Sequence, residues 1–227
     1  MLDLAETDLT NRGFTPALGR GPTRLYDAAL RMFTRERLWR DAVIDRVAAT
    51  CPSTVLDVGC GTGTLAVAIA QRLPGALVTG LDPDGEALAI ARRKGDRLRP
   101  GVAWRSGFAG DAASDGRAGT FDVVTCTLVL HQVPLADKAA GLKAMLSALR
   151  IGGRLVIADY SEQRTKLMRT LFRLTVQRID GETDTQPNAD GVLPRLIAEA
   201  GFAGVTETQV IPTPSGSISV FTANRIA

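Results

Sequence analysis

The sequence predicts an α/β fold, a mostly parallel sheet with helices on both faces. Three observations lead there. From residue 54 onward, short apolar runs alternate with helical patterns, the order of a parallel sheet with right-handed crossovers. A glycine cluster at 59, 61 and 63 follows the first apolar run directly. The last two extended runs, 205–211 and 217–222, flank a Pro-Ser-Gly turn that suits an antiparallel hairpin.

The elements follow in order. Residues 1–20 are polar and interrupted by glycine and proline, and 23–49 read as one or two helices carrying Tyr26, Phe33 and Trp39. Thr54 to Val58 is a buried-strand run, and Thr64 to Leu73 is an Ala- and Leu-rich helix stopped by Pro74-Gly75. Ala76 to Leu81 makes a second strand, and Pro83-Asp84 opens a helix to about Lys94. Val102 to Ser106 is a third strand. Phe121 to Leu128 is a fourth, continuously apolar and so expected to be buried on both faces. Leu135 to Leu149 sets Leu135, Ala139, Leu142, Met145, Leu146 and Leu149 on one helical stripe, with Gly152-Gly153 as its cap. Arg154 to Asp159 is a fifth strand. Glu162 to about Ile179 reads as one helix, Gly181 to Asn188 as a polar loop, and Leu193 to Ala200 as a last helix.

Composition narrows the function classes. At 227 residues, 45% hydrophobic and 22% charged, the chain can bury a core and is too apolar to be disordered. Twenty-seven basic against twenty-four acidic residues leave +3, too little to point to nucleic acid, and none is expected as a partner. Cysteines at 51, 60 and 126, odd in number and without CxxC spacing, argue against disulfides or zinc and for a reducing compartment. A single histidine excludes HExxH, so no metal site is expected. The N-terminus lacks a signal-peptide pattern, and no apolar stretch reaches the roughly 20 residues of a membrane span. A cytoplasmic location is expected.

The most informative segment is Val55-Leu56-Asp57-Val58-Gly59-Cys60-Gly61-Thr62-Gly63. Glycines after a first strand let the backbone turn tightly and approach a ligand. The dinucleotide fingerprint G-x-G-x-x-G needs a glycine where this chain has Thr64, and the P-loop lysine is missing. Asp57, at the strand end, either receives a cationic amine or caps the loop backbone.

This run resembles motif I of the class I S-adenosylmethionine-dependent methyltransferases. The likeness continues through Gly80-Leu81-Asp82-Pro83, through Phe121-Asp122-Val123-Val124 with Leu128-Val129-Leu130-His131, and through Leu149-Arg150-Ile151-Gly152-Gly153-Arg154-Leu155. More narrowly, with Tyr26-Asp27 and Trp39-Arg40, the chain is similar to the ubiquinone/menaquinone-methyltransferase-like group. The resemblance implies a Rossmann-like, seven-stranded, mostly parallel sheet with its last strand antiparallel and helical lids. It implies one methyltransferase domain over 1–227: lid helices at 1–50, a cofactor-binding core at 51–160, and acceptor-side helices with a closing hairpin at 161–227.

The implied cofactor is S-adenosyl-L-methionine, with Gly59, Gly61 and Gly63 cradling its methionine portion. Asp57, Cys60, Pro83, Ala109, Thr127 and Tyr26 join that set. Asp82, 19 residues after Gly63, either accepts the ribose diol or caps a turn before Pro83. Where many relatives read G-D-A, this chain reads Gly107-Phe108-Ala109. Either Phe108 packs on the adenine or Asp111 takes the acidic role. His131 beyond strand four is the candidate base, or it holds a loop. Cys60 and Cys126 are expected to be packed rather than nucleophilic.

Phe33 and Trp39, with Tyr26, and Met168, Phe172 and Val176 are expected to form the acceptor pocket. Arg164 to Arg178 carries five basic residues over fifteen positions, either a contact to an anionic membrane or a solvated face. The expected reaction is methyl transfer to a small molecule, a quinone-like or phenolic metabolite. The rivals are an amine, thiol or phospholipid-headgroup acceptor, an NAD(P)-dependent oxidoreductase, and a non-catalytic S-adenosylmethionine binder.

Overall fold

The computed structural model describes residues 34–96, 98 and 101–227. Helix α1 (Glu36–Ala48) leads into β1 (Thr54–Val58), α2 (Thr64–Arg72), β2 (Leu77–Asp82), α3 (Gly85–Gly95) and β3 (Ala103–Ser106). Then come β4 (Phe121–Thr127), α4 (Leu135–Ala148), β5 (Leu149–Tyr160), α5 (Lys166–Leu174) and α6 (Val176–Asp180). Helices α7 (Glu182–Ala189) and α8 (Leu193–Glu199) precede β6 (Ala203–Thr213) and β7 (Gly216–Asn224).

The strands form one seven-stranded sheet in the order β3-β2-β1-β4-β5-β7-β6. β1 to β5 pair in parallel, and β7 runs antiparallel to both β5 and β6. Two apolar layers cover its faces. One gathers Trp39, Val43, Ile69 and Phe172 around β1 and β7, and the other packs Leu142, Met145 and Ile197 on β4 and β5. β4 is buried along most of its length on both faces, as expected, although Asp122, Thr125 and Thr127 interrupt its apolar run. The order reverses at β1, where β2 lies to one side and β4 to the other, so their carboxyl ends open a crevice suited to a ligand.

Three local readings are corrected. Gly181 to Asn188 is not a loop: all but its first residue belongs to α7, despite Pro187. Long-range bonds organise it, since Lys138 Nζ donates to the Asp184 carbonyl (2.6 Å) and Asn188 Nδ2 to the Tyr160 carbonyl (2.8 Å). The expected helix over 162–179 starts late and breaks at Thr175. Gln163 is drawn into the hairpin, donating to the Ser217 carbonyl at 3.0 Å, and the Thr165 side chain caps α5. Gly152-Gly153 does not cap α4. It lies within β5, where pairing with β4 shifts register, Gly152 at φ 79°.

The carbonyls that end α4 are satisfied from elsewhere. Gly119 and Thr120 amides donate to Ser147 and Ala148 at 2.8 and 3.0 Å. Arg225 Nη1 donates to the Leu146, Ser147 and Leu149 carbonyls at 3.2, 3.2 and 2.7 Å. Arg225→Ala is therefore expected to cost about 1–2 kcal/mol in urea unfolding, as a charge-assisted cap would. An unchanged midpoint means water serves those carbonyls as well.

Candidate active site

The carboxyl ends of β1, β2, β4 and β5, with the segment after β3, face one cleft of about 1120 Å³, closed on the far side by α6. The glycine loop forms its floor. Gly59 and Cys60 amides donate to the Leu81 carbonyl at 2.8 and 3.1 Å, and the Gly61 amide donates to Asp82 Oδ2 at 2.7 Å. Gly59, Gly61 and Gly63 all have positive φ. A Cβ at Gly59 would collide with Val129, whereas one at Gly61 would meet nothing within 4 Å and would stand in open space. Gly63 does not line the cleft. It is buried, leaving room for the Trp104 ring. Lys94 Nζ, a residue the motif reading missed, braces the loop by donating to Thr62 and Thr64 hydroxyls at 2.8 and 2.9 Å.

Asp82 faces the cleft at the end of β2, and its Oδ1 also accepts the Asp84 amide at 2.9 Å. Both oxygens keep a second acceptor position. Burial pushes its carboxyl above the ordinary range. Asp57, expected in the cofactor site, does not line the cleft: it lies beneath the loop, 1% exposed, with Oδ1 accepting from the Thr125 hydroxyl at 2.7 Å. Its Oδ2 is buried with no partner among the described residues. Burial and, less strongly, the Asp82 charge raise its pKa to about 7 against the Thr125 bond.

Pro83, Phe108, Ala109, Asp111 and Thr127 line the cleft with Cys60. Asp111 Oδ2 accepts the Phe108 amide at 2.9 Å, so this carboxylate shapes the turn that presents Phe108. Burial pushes the Cys60 and Cys126 thiols far up, leaving them protonated.

His131 lines the acceptor side and is 5% exposed. Its Nδ1 meets Asp159 Oδ1 at 2.7 Å and its Nε2 meets Asp180 Oδ2 at 3.4 Å. Burial lowers its pKa, but Asp159, by charge and hydrogen bond, and then Asp180 outweigh it and raise the value to about 9. The ring is thus an imidazolium at neutral pH, with no lone pair to act as a base while both carboxylates hold it.

Trp39 lines the cleft, and its Nε1 donates to the Thr34 hydroxyl at 3.4 Å. Tyr26 and Phe33 lie outside the described residues. Neither Met168 nor Phe172 reaches the cleft. Phe172 is the buried residue of α5 and packs in the core against Tyr160, ring centroids 5.3 Å apart. The wall comes instead from Leu174, Val176, Ile179 and Asp180, with Tyr160, Val133 and Pro134. Only Val176 of these was legible. Asp180 carries no motif, and only the bend between α5 and α6 brings it to His131.

The methyltransferase domain family matches residues 56–155. The chain is 31% identical over 215 residues to the ubiquinone/menaquinone biosynthesis C-methyltransferase UbiE of Geotalea daltonii, covering 85% of this chain and 87% of that protein. It is 32% identical over 156 residues to the demethylmenaquinone methyltransferase of Thermus thermophilus, covering 68% and 69%. The chain belongs to the UbiE-like class I S-adenosylmethionine-dependent methyltransferases. The fold agrees with magnesium protoporphyrin IX methyltransferase from Synechocystis PCC 6803, solved with bound SAH, at TM-score 0.68, 21% identity and coverage of 98% and 95%. The chain spans about half the length of some other curated relatives it matches.

The cofactor of this methyltransferase is S-adenosylmethionine, and the residues present fit it. The open space at Gly61 admits a ligand backbone, Asp82 has acceptor capacity for a diol, and the orphaned Asp57 oxygen suits a cationic amine.

Two measurements test this electrostatic arrangement. A bound ammonium favours ionised Asp57, so cofactor affinity is full above its pKa of about 7 and falls as pH drops through it. Calorimetry with S-adenosylhomocysteine should show about tenfold weaker binding at about pH 6 than at about pH 8, a slope that Asp57→Asn flattens. A pH-independent affinity in the native chain removes the amine from Asp57.

The His131 pKa of about 9 lies above the ordinary 6.5, so its imidazolium contributes stability that is full below about pH 6.5 and lost as pH rises through 9. Lys138, pushed down to about 8 by burial, moves stability the other way. The difference between native chain and His131→Ala in urea unfolding should therefore shrink by about 3 kcal/mol from about pH 6 to about pH 10. A constant difference means the ring is neutral.

Proposed function

We propose that this methyltransferase acts on a small quinone-like or phenolic acceptor. The observation that carries the reading is the continuity of the cleft. The glycine loop that holds the cofactor and the apolar wall of Val133, Pro134, Tyr160, Val176 and Ile179 enclose one space. Such a wall accepts a flat, weakly polar ring, with a few convergent polar groups to orient it. The two relatives described above carry quinone methylation in their names, which supports the same class.

S-adenosylmethionine, when bound, supplies an electrophilic methyl group on its sulfonium. The task of the chain is then alignment and exclusion of water. Asp57, Gly61 and Asp82 hold the donor side, while Tyr160, Val176 and Ile179 hold the ring face. The carboxylate of Asp180 is the group on this wall able to accept the hydroxyl proton of a phenol or quinol at Oδ. His131 positions it, its Nε2 lying 3.4 Å from Asp180 Oδ2.

Labelled-methyl transfer across quinols, phenols, amines and thiols tests the reading. Turnover on quinols or phenols is expected, with Asp180→Asn lowering kcat about 100-fold while S-adenosylhomocysteine affinity holds. Turnover confined to amines or thiols overturns it.

A further inference from the structure

Helices α5 and α6 leave an outward face that is both cationic and apolar. On α5 only Phe172 is buried. Leu167 and Leu174 are 61% and 53% exposed, and Ile179 on α6 is 78% exposed. Positions 167, 171 and 174, spaced i, i+4 and i+7, fall on one stripe. Lys166, Arg169 and Arg173 form a second exposed stripe, separated from the first by Thr170, and Arg178 extends the charge onto α6.

Carboxylates do little to neutralise this face. Asp190 reaches Arg169 at 3.7 Å, Asp180 is turned to His131 at 3.4 Å, and Glu182 belongs to the next helix. A surface helix ordinarily keeps its apolar stripe inward. Leucines facing out beside guanidinium groups match a helix lying in a headgroup layer, apolar side chains at the acyl boundary and cations on lipid phosphates. The patch also adjoins the site, because Leu174, Arg178 and Ile179 line the cleft.

We propose that the α5–α6 face docks peripherally on an anionic phospholipid surface, with the acceptor side of the cleft turned toward lipid. This goes beyond the acceptor reading, and its test uses neither cofactor nor acceptor. Sedimentation with vesicles of phosphatidylcholine and phosphatidylglycerol is expected at low ionic strength. Binding should fall at least tenfold in about 0.5 M salt and with pure phosphatidylcholine. The triple variant Lys166→Glu, Arg169→Glu, Arg173→Glu should bind at least tenfold more weakly, its S-adenosylhomocysteine affinity unchanged. Should that variant misfold, Leu167→Trp in the otherwise native chain reports directly, through quenching by brominated acyl chains beyond that of the native tryptophans. Absence of anionic vesicle binding, equal binding to neutral vesicles, equal binding by a folded triple variant, no added quenching at 167, or binding to a DNA duplex but not to vesicles each overturns the proposal.

Discussion

Asp159, at the carboxyl end of β5, is fully buried, and a carboxylate there is costly unless every lone pair is used. It accepts the Val129, Leu130 and Tyr160 amides at 3.1, 2.7 and 2.7 Å and faces the His131 ring at 2.7 Å. These bonds hold the segment after β4, where Leu128 sits at φ 53°, a conformation costly for a side chain of its kind. Val129 then closes over Gly59, and His131 reaches out to α6. One buried anion therefore couples the glycine loop, β4, β5 and the acceptor wall.

The same charge explains a buried lysine. Lys138 lies on the core side of α4, 0% exposed, where an apolar residue is the ordinary choice. Its ammonium bonds the Asp184 carbonyl and Asn188 Oδ1, and the field of Asp159 opposes the loss of its proton. Two cations, the His131 imidazolium and Lys138, thus lie in the field of Asp159, with Asp180 on the far side of the ring. The polar segment behind the cleft is thereby held as α7, with Lys138 bonded near both of its ends.

On the donor side the constraint is steric rather than electrostatic. Trp104 of β3 lies against Gly63, Gly80 and Gly95, with its ring 2.6 Å from where a Cβ would stand at Gly80. Glycine is needed there so that one large ring can fill the space behind the loop. With Lys94 holding Thr62 and Thr64, the loop is braced from behind, and Asp82 anchors it from the next strand. A preorganised floor of this kind binds a cofactor without first ordering itself.

The first five strands and most of the cofactor floor were legible in residues 54–160, because there the chemistry is local. Apolar runs, glycine spacing and strand-end carboxylates each declare themselves within a few positions. The acceptor side was not legible. Phe172 reads as a pocket residue, but it is on the face of α5 that packs on Tyr160, and the break at Thr175 gives the wall to α6 instead. Asp180 and Lys138 carry no pattern, and α7 is held by partners up to 50 residues away. His131 was visible as a titratable group beside the cleft, but its charge depends on two aspartates from distant segments. Sequence alone determined the alternating α/β pattern and the glycine loop, which rest on short-range periodicity and backbone freedom, and its motifs carried the family resemblance. Only the tertiary structure decided which side chains face the acceptor and what charge they bear, because burial and Coulomb fields depend on which remote groups the fold brings together.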